Sequence, residues 1–251
     1  MPRDSITAFV AGATGYQGGA TARQLLNAGV QVHALVRDTS SKAAIDLQAQ
    51  GAQLFLGDFN NTMSLKAAIS GASAIFLNVT PDPLDPSLEV KRAKNIIDAA
   101  KESGSVSTMI YSSVEMTGKA RDISELGAGI SSGMVLDKQI PNRDDAFLMN
   151  NYHQPKASSM FPELVTNCVF LTAYNPNTRM TMVDPGDVGK FAAAAVLESL
   201  RFNRCEIDLG AESLKPADIV RGLSLASGKE IALKFYSRDE AERRAASDPR
   251  L

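Results

Sequence analysis

The first half of this 251-residue chain alternates short apolar segments with segments that have the hydrophobic period of a helix. Five such repeats with short connections predict a parallel sheet that carries helices on both faces. The strands are continuous apolar runs, as expected when both faces of a sheet are covered. The predicted elements are strand 6–11, helix 17–27, strand 30–36, helix 42–50, strand 52–56, helix 63–70, strand 74–79, helix 88–103 and strand 108–112. We therefore predict an α/β fold with a doubly wound parallel sheet.

Polar and conformationally special residues mark the ends of these helices. Gly29, Gly51 and Gly71 follow the first three predicted helices, where a left-handed residue commonly ends a helix. Asn61 or Thr62 is predicted to cap the third helix, because short polar side chains accept from free N–H groups at a helix start.

The second half has a weaker local pattern. Residues 114–150 are rich in Gly, Ser, Asp and Pro, and no helix or strand is predicted there. An unstructured stretch of this length is uncommon inside a compact domain, so it is either a lid or a segment whose elements lack a local pattern. Periodicity returns in helix 187–200, capped by Asp184 or Asp187, strand 205–209, helix 216–226 ended by Gly228, strand 231–236, and a frayed, charged helix over 239–250.

Composition excludes several classes of protein. The formal net charge of −2 provides no general attraction to nucleic acid or to anionic membranes. The sequence contains neither an apolar run of about 20 residues nor a signal-peptide core, so we expect a soluble, cytoplasmic protein that also has access to the nucleus. Cys168 and Cys205 are expected to be buried, reduced thiols. No metal-ligand cluster or nucleophile elbow is recognised.

A glycine-rich loop lies between the first strand and the first helix, and it is the strongest functional signal. Gly12 allows the tight turn, Gly15 lets the backbone approach a pyrophosphate, and Gly18 lets the helix pack against the strand. The helix start then presents free N–H groups and the positive end of its dipole to the phosphates. The residues predicted to contact the nucleotide in this loop are Gly12, Thr14, Gly15, Tyr16, Gln17 and Gly18. A Rossmann-type site for a dinucleotide is therefore predicted.

The end of the second strand distinguishes NADP from NAD. Arg37 can hold a 2′-phosphate with its planar guanidinium and stack on adenine, which favours NADP(H). Asp38 is the competing residue, since a carboxylate here can accept from the ribose 2′-hydroxyl of NAD. Lys42 either adds a second charge for the phosphate or is an exposed helix residue.

Residues that follow the next three strands complete the predicted site, since ligands of such sheets bind beyond the carboxyl ends of the strands. Asp58 and Phe59 are placed at the adenine, although Asp58 is equally explained as a loop residue. Asn78 and Val79 are placed at the nicotinamide half. Ser112, next to Ser113, either polarises a substrate or caps the following turn.

These features resemble the NmrA-like branch of the atypical short-chain dehydrogenases, over most of residues 5–237. The resemblance rests on Gly12-Ala13-Thr14-Gly15-Tyr16-Gln17-Gly18, Val36-Arg37-Asp38, Gly57-Asp58, Tyr111-Ser112-Ser113, Pro155-Lys156-Ala157, Met160-Phe161-Pro162 and the segment 187–194. It implies a single domain over 1–251, in which residues 5–150 are mainly the nucleotide-binding Rossmann part. Residues 151–251 would form a small C-terminal α+β lobe for a substrate or a partner.

The sequence also departs from that family. Short-chain dehydrogenases usually carry a helical Tyr-x-x-x-Lys, in which the lysine lowers the pKa of the tyrosine. The only such spacing here joins Tyr152 to Lys156, and Pro155 between them disfavours a helix. Both remain weak catalytic candidates, with Ser112. The segment between residues 114 and 145 also resembles a shortened version of the family pattern. His33 is interpreted as a structural residue on a strand and His153 as a surface residue.

Two functions follow from these observations. The first is an NADP(H)-dependent oxidoreductase that reduces a small carbonyl or conjugated substrate. The second is a non-catalytic NADP(H) sensor that reports redox state to a regulatory protein, such as a transcription regulator, without contacting nucleic acid or membrane itself. The sequence predicts neither the substrate nor the oligomeric state.

Overall fold

The computed structural model describes residues 6–79, 85, 87–114, 132–138 and 162–247. The chain forms two compact units. The first unit comprises Met1–Lys138 and Asp184–Leu209, and the second comprises Gln139–Val183 and Gly210–Leu251. No helix of the described residues is long and apolar enough to cross a membrane.

The elements are numbered here in chain order. The strands are β1 (Thr7–Val10), β2 (Gln31–Val36), β3 (Gln53–Leu56), β4 (Ala74–Leu77), β5 (Thr108–Val114), β6 (Ser132–Lys138), β7 (Val169–Thr172), β8 (Met180–Met182), β9 (Cys205–Leu209), β10 (Glu212–Leu214) and β11 (Ala232–Phe235). The helices are α1 (Tyr16–Asn27), α2 (Lys42–Ala49), α3 (Thr62–Ile69), α4 (Ser87–Ser103), α5 (Pro162–Asn167), α6 (Pro185–Leu197), α7 (Pro216–Ser227) and α8 (Arg238–Ser247).

The first unit is built on a seven-stranded sheet in the order β3-β2-β1-β4-β5-β6-β9. Every neighbouring pair in this sheet is parallel. Strand order reverses direction between β1 and β4, which creates the crevice where ligands of open parallel sheets bind. The prediction of a doubly wound parallel sheet is therefore confirmed.

One core of this unit involves α3, α4 and the sheet. It contains large side chains that are fully buried: Phe9, Leu65, Ile69, Ile75, Ile96 and Met109. Burying each such side chain stabilises the fold by about 1.5–3 kcal/mol relative to exposure.

Helices α1 and α6 pack closely through small residues. A Cβ atom at Gly189 in α6 would lie 2.7 Å from the carbonyl carbon of Ala20 and 2.9 Å from the amide nitrogen of Thr21, both in α1. Only a glycine allows the two backbones to approach this far. The contact holds α1, and with it the loop that precedes α1, against a second helix.

The helix ends follow the predicted chemistry. Gly29, Gly51, Gly71 and Gly228 all have positive φ angles of +66° to +103°. Asn61 is the residue that caps α3, with Oδ1 accepting from the N–H groups of Met63 and Ser64 at 3.1 Å each. Of the two candidates for the cap of α6, Asp184 fills the role.

The prediction of no element between residues 114 and 150 is wrong for β6. Only Met134–Leu136 are consecutive apolar residues in this strand, so its local pattern is too short to identify. Its extended backbone pairs in parallel with β5 on one side and with β9 on the other. Those partners are distant in sequence. The strands β7, β8 and β10 and helix α5, also not predicted, are likewise only three to six residues long.

The second unit has an α+β arrangement. Strands β7 and β11 pair in parallel, whereas β8 and β10 pair in an antiparallel manner. Its core contains Leu164, Phe170, Met180, Met182, Ile219, Val220, Leu223 and Ile231. Cys168 in this unit and Cys205 in the first unit are free but half-buried, so the expectation that both thiols are buried is wrong.

Candidate functional site

The carboxyl ends of β1 to β5 are aligned at one edge of the sheet. In the register, Val10 lies beside Phe76, and Leu77 lies beside Tyr111. The loop after β1 is joined to this edge by a hydrogen bond of 2.9 Å from the N–H of Ala11 to the carbonyl of Phe76. Residues that follow these strands are thus placed along one crevice.

The glycine loop makes a tight turn before α1. Gly12 has φ +66°, and its carbonyl accepts from the N–H of Gly15 at 2.8 Å. A Cβ atom at Gly18 would lie 2.2 Å from that same carbonyl oxygen. The turn can therefore close over the first turn of α1 only when residue 18 has no side chain.

The N-terminus of α1 has electrostatic properties that favour binding of an anion. Gly15 is the N-cap residue and offers no side-chain hydrogen bond, and no acidic residue lies in the first turn. By contrast, Ser41, Asn61 and Asp184 cap α2, α3 and α6 with side-chain oxygen atoms. The first N–H groups of a helix without such a cap, together with its dipole, favour a negatively charged ligand. Burial raises the pKa of Tyr16, at the first position of α1, so its phenol stays neutral at physiological pH.

Arg37 and Asp38 have different surroundings, although they are adjacent. Arg37 is exposed, and none of the described residues forms a hydrogen bond or an ion pair with it. Oδ1 of Asp38 accepts two hydrogen bonds from Ser40, at 2.8 Å from the N–H and at 2.6 Å from the hydroxyl. The Ser40 hydroxyl is the main reason why the pKa of Asp38 lies below its ordinary value.

Lys42 is exposed at the first position of α2. Its ammonium group pairs with Asp46 one turn further along, at 3.0 Å. This contact is typical of an exposed helix residue. The alternative, that Lys42 adds a second charge for the phosphate, stays a prediction.

Asp58 and Phe59 follow β3 as expected, and both have structural contacts there. Oδ1 of Asp58 accepts from the N–H groups of Asn60 at 2.7 Å and Asn61 at 3.1 Å, which organises the loop. Oδ2 of Asp58 has no hydrogen-bond partner within the described part of the chain. Phe59 is half-buried against the core, and its carbonyl accepts from the side chain of Asn95 at 2.8 Å.

Asn78 and Val79 follow β4 next to the glycine turn. The carbonyl oxygen of Asn78 would lie 3.6 Å from a Cβ atom placed on Gly12. Val79 is buried. Asn78 therefore borders the crevice, whereas the side chain of Val79 belongs to the core.

Ser112 and Gln17 are brought together by the fold. The Ser112 hydroxyl, buried at the end of β5, donates to Oε1 of Gln17 at 3.1 Å. These residues are 95 positions apart, so no local pattern in the sequence connects them. Ser40 was not among the predicted site residues, although an aspartate two residues before a serine is a pattern that favours such a turn.

The remaining candidates divide into two groups. Tyr152, His153 and Lys156 lie outside the described residues. Nδ1 of His33 lies 2.8 Å from the carbonyl oxygen of Ala68, and its ring packs against Phe55 at 5.0 Å between centroids. This agrees with the interpretation of His33 as a structural residue. The described part of the chain contains no group of three or more His, Cys, Asp or Glu that could hold a metal ion.

A parallel sheet of this strand order, with a glycine turn between its first strand and first helix, defines a Rossmann-type fold. A sequence model of the NmrA-like family matches residues 4–129. Since that match covers half of the 251 residues, the chain belongs to the NmrA-like family.

Known proteins agree with this assignment. An NmrA-like family domain-containing oxidoreductase, notA from Aspergillus sp. (strain MF297-2), is 44% identical over 113 residues, which cover 43% of this chain and 33% of that protein. The match therefore spans about a third of the relative's length.

Two solved structures share the fold at low sequence identity. The negative transcriptional regulator NmrA in complex with NAD has a TM-score of 0.68 at 22% identity, covering 93% of this chain and 75% of that chain. The NADPH-dependent quinone oxidoreductase QOR2 from Escherichia coli, complexed with NADPH, has a TM-score of 0.68 at 21% identity. The match covers 96% of this chain and 81% of that chain.

Proposed function

We propose that this protein binds NADP(H) at the carboxyl edge of its parallel sheet and uses it as an oxidoreductase. The observation that carries the proposal is the glycine turn, in which the Gly12 carbonyl closes over Gly18 before a helix without a side-chain cap. The backbone there leaves no space for a Cβ atom at Gly18, and a turn of this kind before a helix start is where a Rossmann-type site binds a pyrophosphate.

The residues present fit such a ligand. Gly12, Thr14, Gly15, Tyr16, Gln17 and Gly18 would surround the pyrophosphate. Asp58 and Phe59 would border the adenine, with Oδ2 of Asp58 able to accept from its amino group. Asn78 and Val79 would border the nicotinamide half, Val79 through its backbone.

The charges at the end of β2 favour NADP(H) over NAD(H). Arg37 has no partner among the described residues, so its guanidinium can bind a 2′-phosphate without breaking an ion pair. Lys42 could add to this charge only by leaving Asp46. In an NAD site, a carboxylate at this position accepts a hydrogen bond from a ribose hydroxyl. Oδ1 of Asp38 already accepts two hydrogen bonds from Ser40, so only Oδ2 is left for that contact.

The bound cofactor would supply a hydride, and we propose a small carbonyl compound or a conjugated compound such as a quinone as the acceptor. Support comes from the relatives described as oxidoreductases and from the shared fold of the quinone oxidoreductase. Residues 151–183 and 210–251, which belong to the second unit, would contribute the lobe for the substrate. A cytoplasmic or nuclear location belongs to the same proposal.

A second candidate is a redox sensor that does not turn the nucleotide over. The fold shared with the transcriptional regulator NmrA favours it, as does the absence from the sequence of a Tyr-x-x-x-Lys free of proline. In that case a regulatory protein would bind the nucleotide-bound state with a different affinity from the nucleotide-free state.

Calorimetric titration with NADP⁺, NADPH, NAD⁺ and NADH tests the site. Arg37→Ala should weaken binding of the phosphorylated pair by about tenfold or more and leave the other pair unchanged, since a charge-assisted contact is lost. Arg204→Ala is the control, because Arg204 is an exposed cation that precedes β9 and so lies at the opposite, amino edge. Wild-type protein that binds none of the four nucleotides would refute the proposal.

A second assay separates the two candidates. NADPH oxidation is followed with a panel of quinones, enones and aldehydes at saturating nucleotide. Turnover that Gly18→Ala abolishes supports the oxidoreductase. Tight NADPH binding without any turnover supports the sensor, which then requires that NADPH and NADP⁺ change the affinity for a protein partner.

A further inference from the structure

The turn after β2 contains a contact that bears on which nucleotide the protein selects. Oδ1 of Asp38 accepts hydrogen bonds from the N–H of Ser40 at 2.8 Å and from the Ser40 hydroxyl at 2.6 Å. The main-chain carbonyl of Asp38 accepts a hydrogen bond from the hydroxyl of Ser41 at 3.0 Å. Ser40 and Asp38 are exposed, and Asp38 directly follows Arg37 in the sequence.

This contact restricts what the carboxylate can do. A carboxylate oxygen has two lone pairs, and both of those on Oδ1 of Asp38 are used by Ser40. Oδ2 alone remains for a ligand, and the turn with Ser40, not the ligand, fixes the direction in which it faces. The short distance of 2.6 Å is typical of a hydrogen bond from a hydroxyl to an ionised oxygen.

The same contact keeps Asp38 away from its neighbour. Asp38 is next to Arg37 in sequence, yet the two side chains form no ion pair. If the carboxylate were free to turn, it could either pair with Arg37 or accept from a ribose hydroxyl. The first would compete with a 2′-phosphate, and the second would favour a nucleotide without one.

We propose that Ser40 determines the preference for NADP(H) over NAD(H) by holding the carboxylate of Asp38 inside the turn. Ser40 acts as a positioning residue, since its effect passes through Asp38. The inference rests on the proposed function, in that the site must bind a dinucleotide.

The test is a double-mutant cycle on the ratio of the dissociation constants for NADH and NADPH. Ser40→Ala removes the shorter of the two hydrogen bonds and should lower this ratio about fivefold, by weakening NADPH and strengthening NADH. In an Asp38→Ala background the same substitution should leave the ratio unchanged, because there is no carboxylate to release.

The adjacent serine provides a matched control. Ser41→Ala removes a hydroxyl that contacts the main chain of Asp38 and caps α2 at 3.4 Å from the N–H of Ala44, but does not touch the carboxylate. It should lower thermal stability and leave the ratio unchanged.

The outcomes separate this inference from the function on which it rests. Wild-type protein that binds no dinucleotide refutes both. Wild-type protein that prefers NADPH, with Ser40→Ala altering the ratio equally in both backgrounds, refutes the role of Ser40 through Asp38 and indicates direct contact with the phosphate. An unchanged ratio in Ser40→Ala, or a wild type that binds both nucleotides equally, also overturns the inference while leaving nucleotide binding intact.

Discussion

The hydroxyl of Ser112 donates a hydrogen bond of 3.1 Å to Oε1 of Gln17 and so joins the end of β5 to the first turn of α1. Ser112 is 7% exposed, so water has little access to replace this contact. The sequence left two roles open for Ser112, polarising a substrate or capping a turn. In the structure its hydroxyl donates to Gln17, so we expect Ser112 to support the glycine loop.

Removing this hydrogen bond should loosen the loop. Ser112→Ala is expected to reduce the free energy of unfolding by about 1 kcal/mol, because a buried hydroxyl–amide hydrogen bond is lost. The dissociation constant for NADPH should rise, since the start of α1 is less rigidly placed. Urea unfolding and calorimetry measure the two effects. Gln17→Leu should have the same effect alone and little further effect in the Ser112→Ala background; additive losses would show that the contact is unimportant.

Gly18→Ala should abolish nucleotide binding. The new Cβ atom would lie 2.2 Å from the Gly12 carbonyl oxygen, so the turn must open, at a cost of about 3 kcal/mol in stability. Gly29→Ala, at the other end of α1, is the control. It places alanine at φ +81° with no atom within 4 Å, and should cost about 1–2 kcal/mol without changing the affinity for NADPH. Full NADPH binding by Gly18→Ala would contradict the proposed position of the pyrophosphate.

Two helical glycines should respond in opposite directions to alanine. Gly189→Ala forces a methyl group to 2.7 Å from the backbone of Ala20 and should destabilise the protein by about 1–3 kcal/mol. Gly222→Ala in α7 meets no atom within 4 Å and should stabilise it by about 0.5–1 kcal/mol, since alanine has the higher helix propensity. The urea midpoints of the two variants measure this difference. Equal effects would show that α1 and α6 do not pack as described.

The carboxyl of Asp38 should titrate below the ordinary range of aspartate, chiefly because the Ser40 hydroxyl stabilises its charged form. A depressed pKa means that the turn is stabilised at neutral pH and loses that contribution as the pH falls through the folded-state pKa. NMR titration of the side-chain carboxyl measures it. Ser40→Ala should raise the pKa of Asp38 toward its ordinary value.

Glu240 is an internal control for that titration. The hydroxyl of Ser237 holds its pKa low in the same manner, in the second unit. Ser40→Ala should therefore leave the pKa of Glu240 unchanged, and a shift of both carboxyls would indicate a global change in structure.

The elements that were predicted well are those whose information is local. Helix α1 with its glycine turn, α3 with its cap at Asn61, and strand β9 could be identified because period, cap and turn residues lie within a few positions of one another. Strand β6 could not be identified, because its seven residues contain only three consecutive apolar positions and depend on pairing with two distant strands.

The sequence by itself determined the class of fold and the type of ligand to expect. The signals are local patterns: alternating β and α segments, a glycine loop, and a cation after β2. Only the tertiary structure decided the role of particular polar groups. The sequence could not show which contacts Asp38 makes, and the structure places Oδ1 of its carboxylate in a turn with Ser40. Gln17 and Ser112 meet because α1 packs on the sheet in which β5 is a strand. Such contacts depend on orientation and distance, which a linear pattern does not contain.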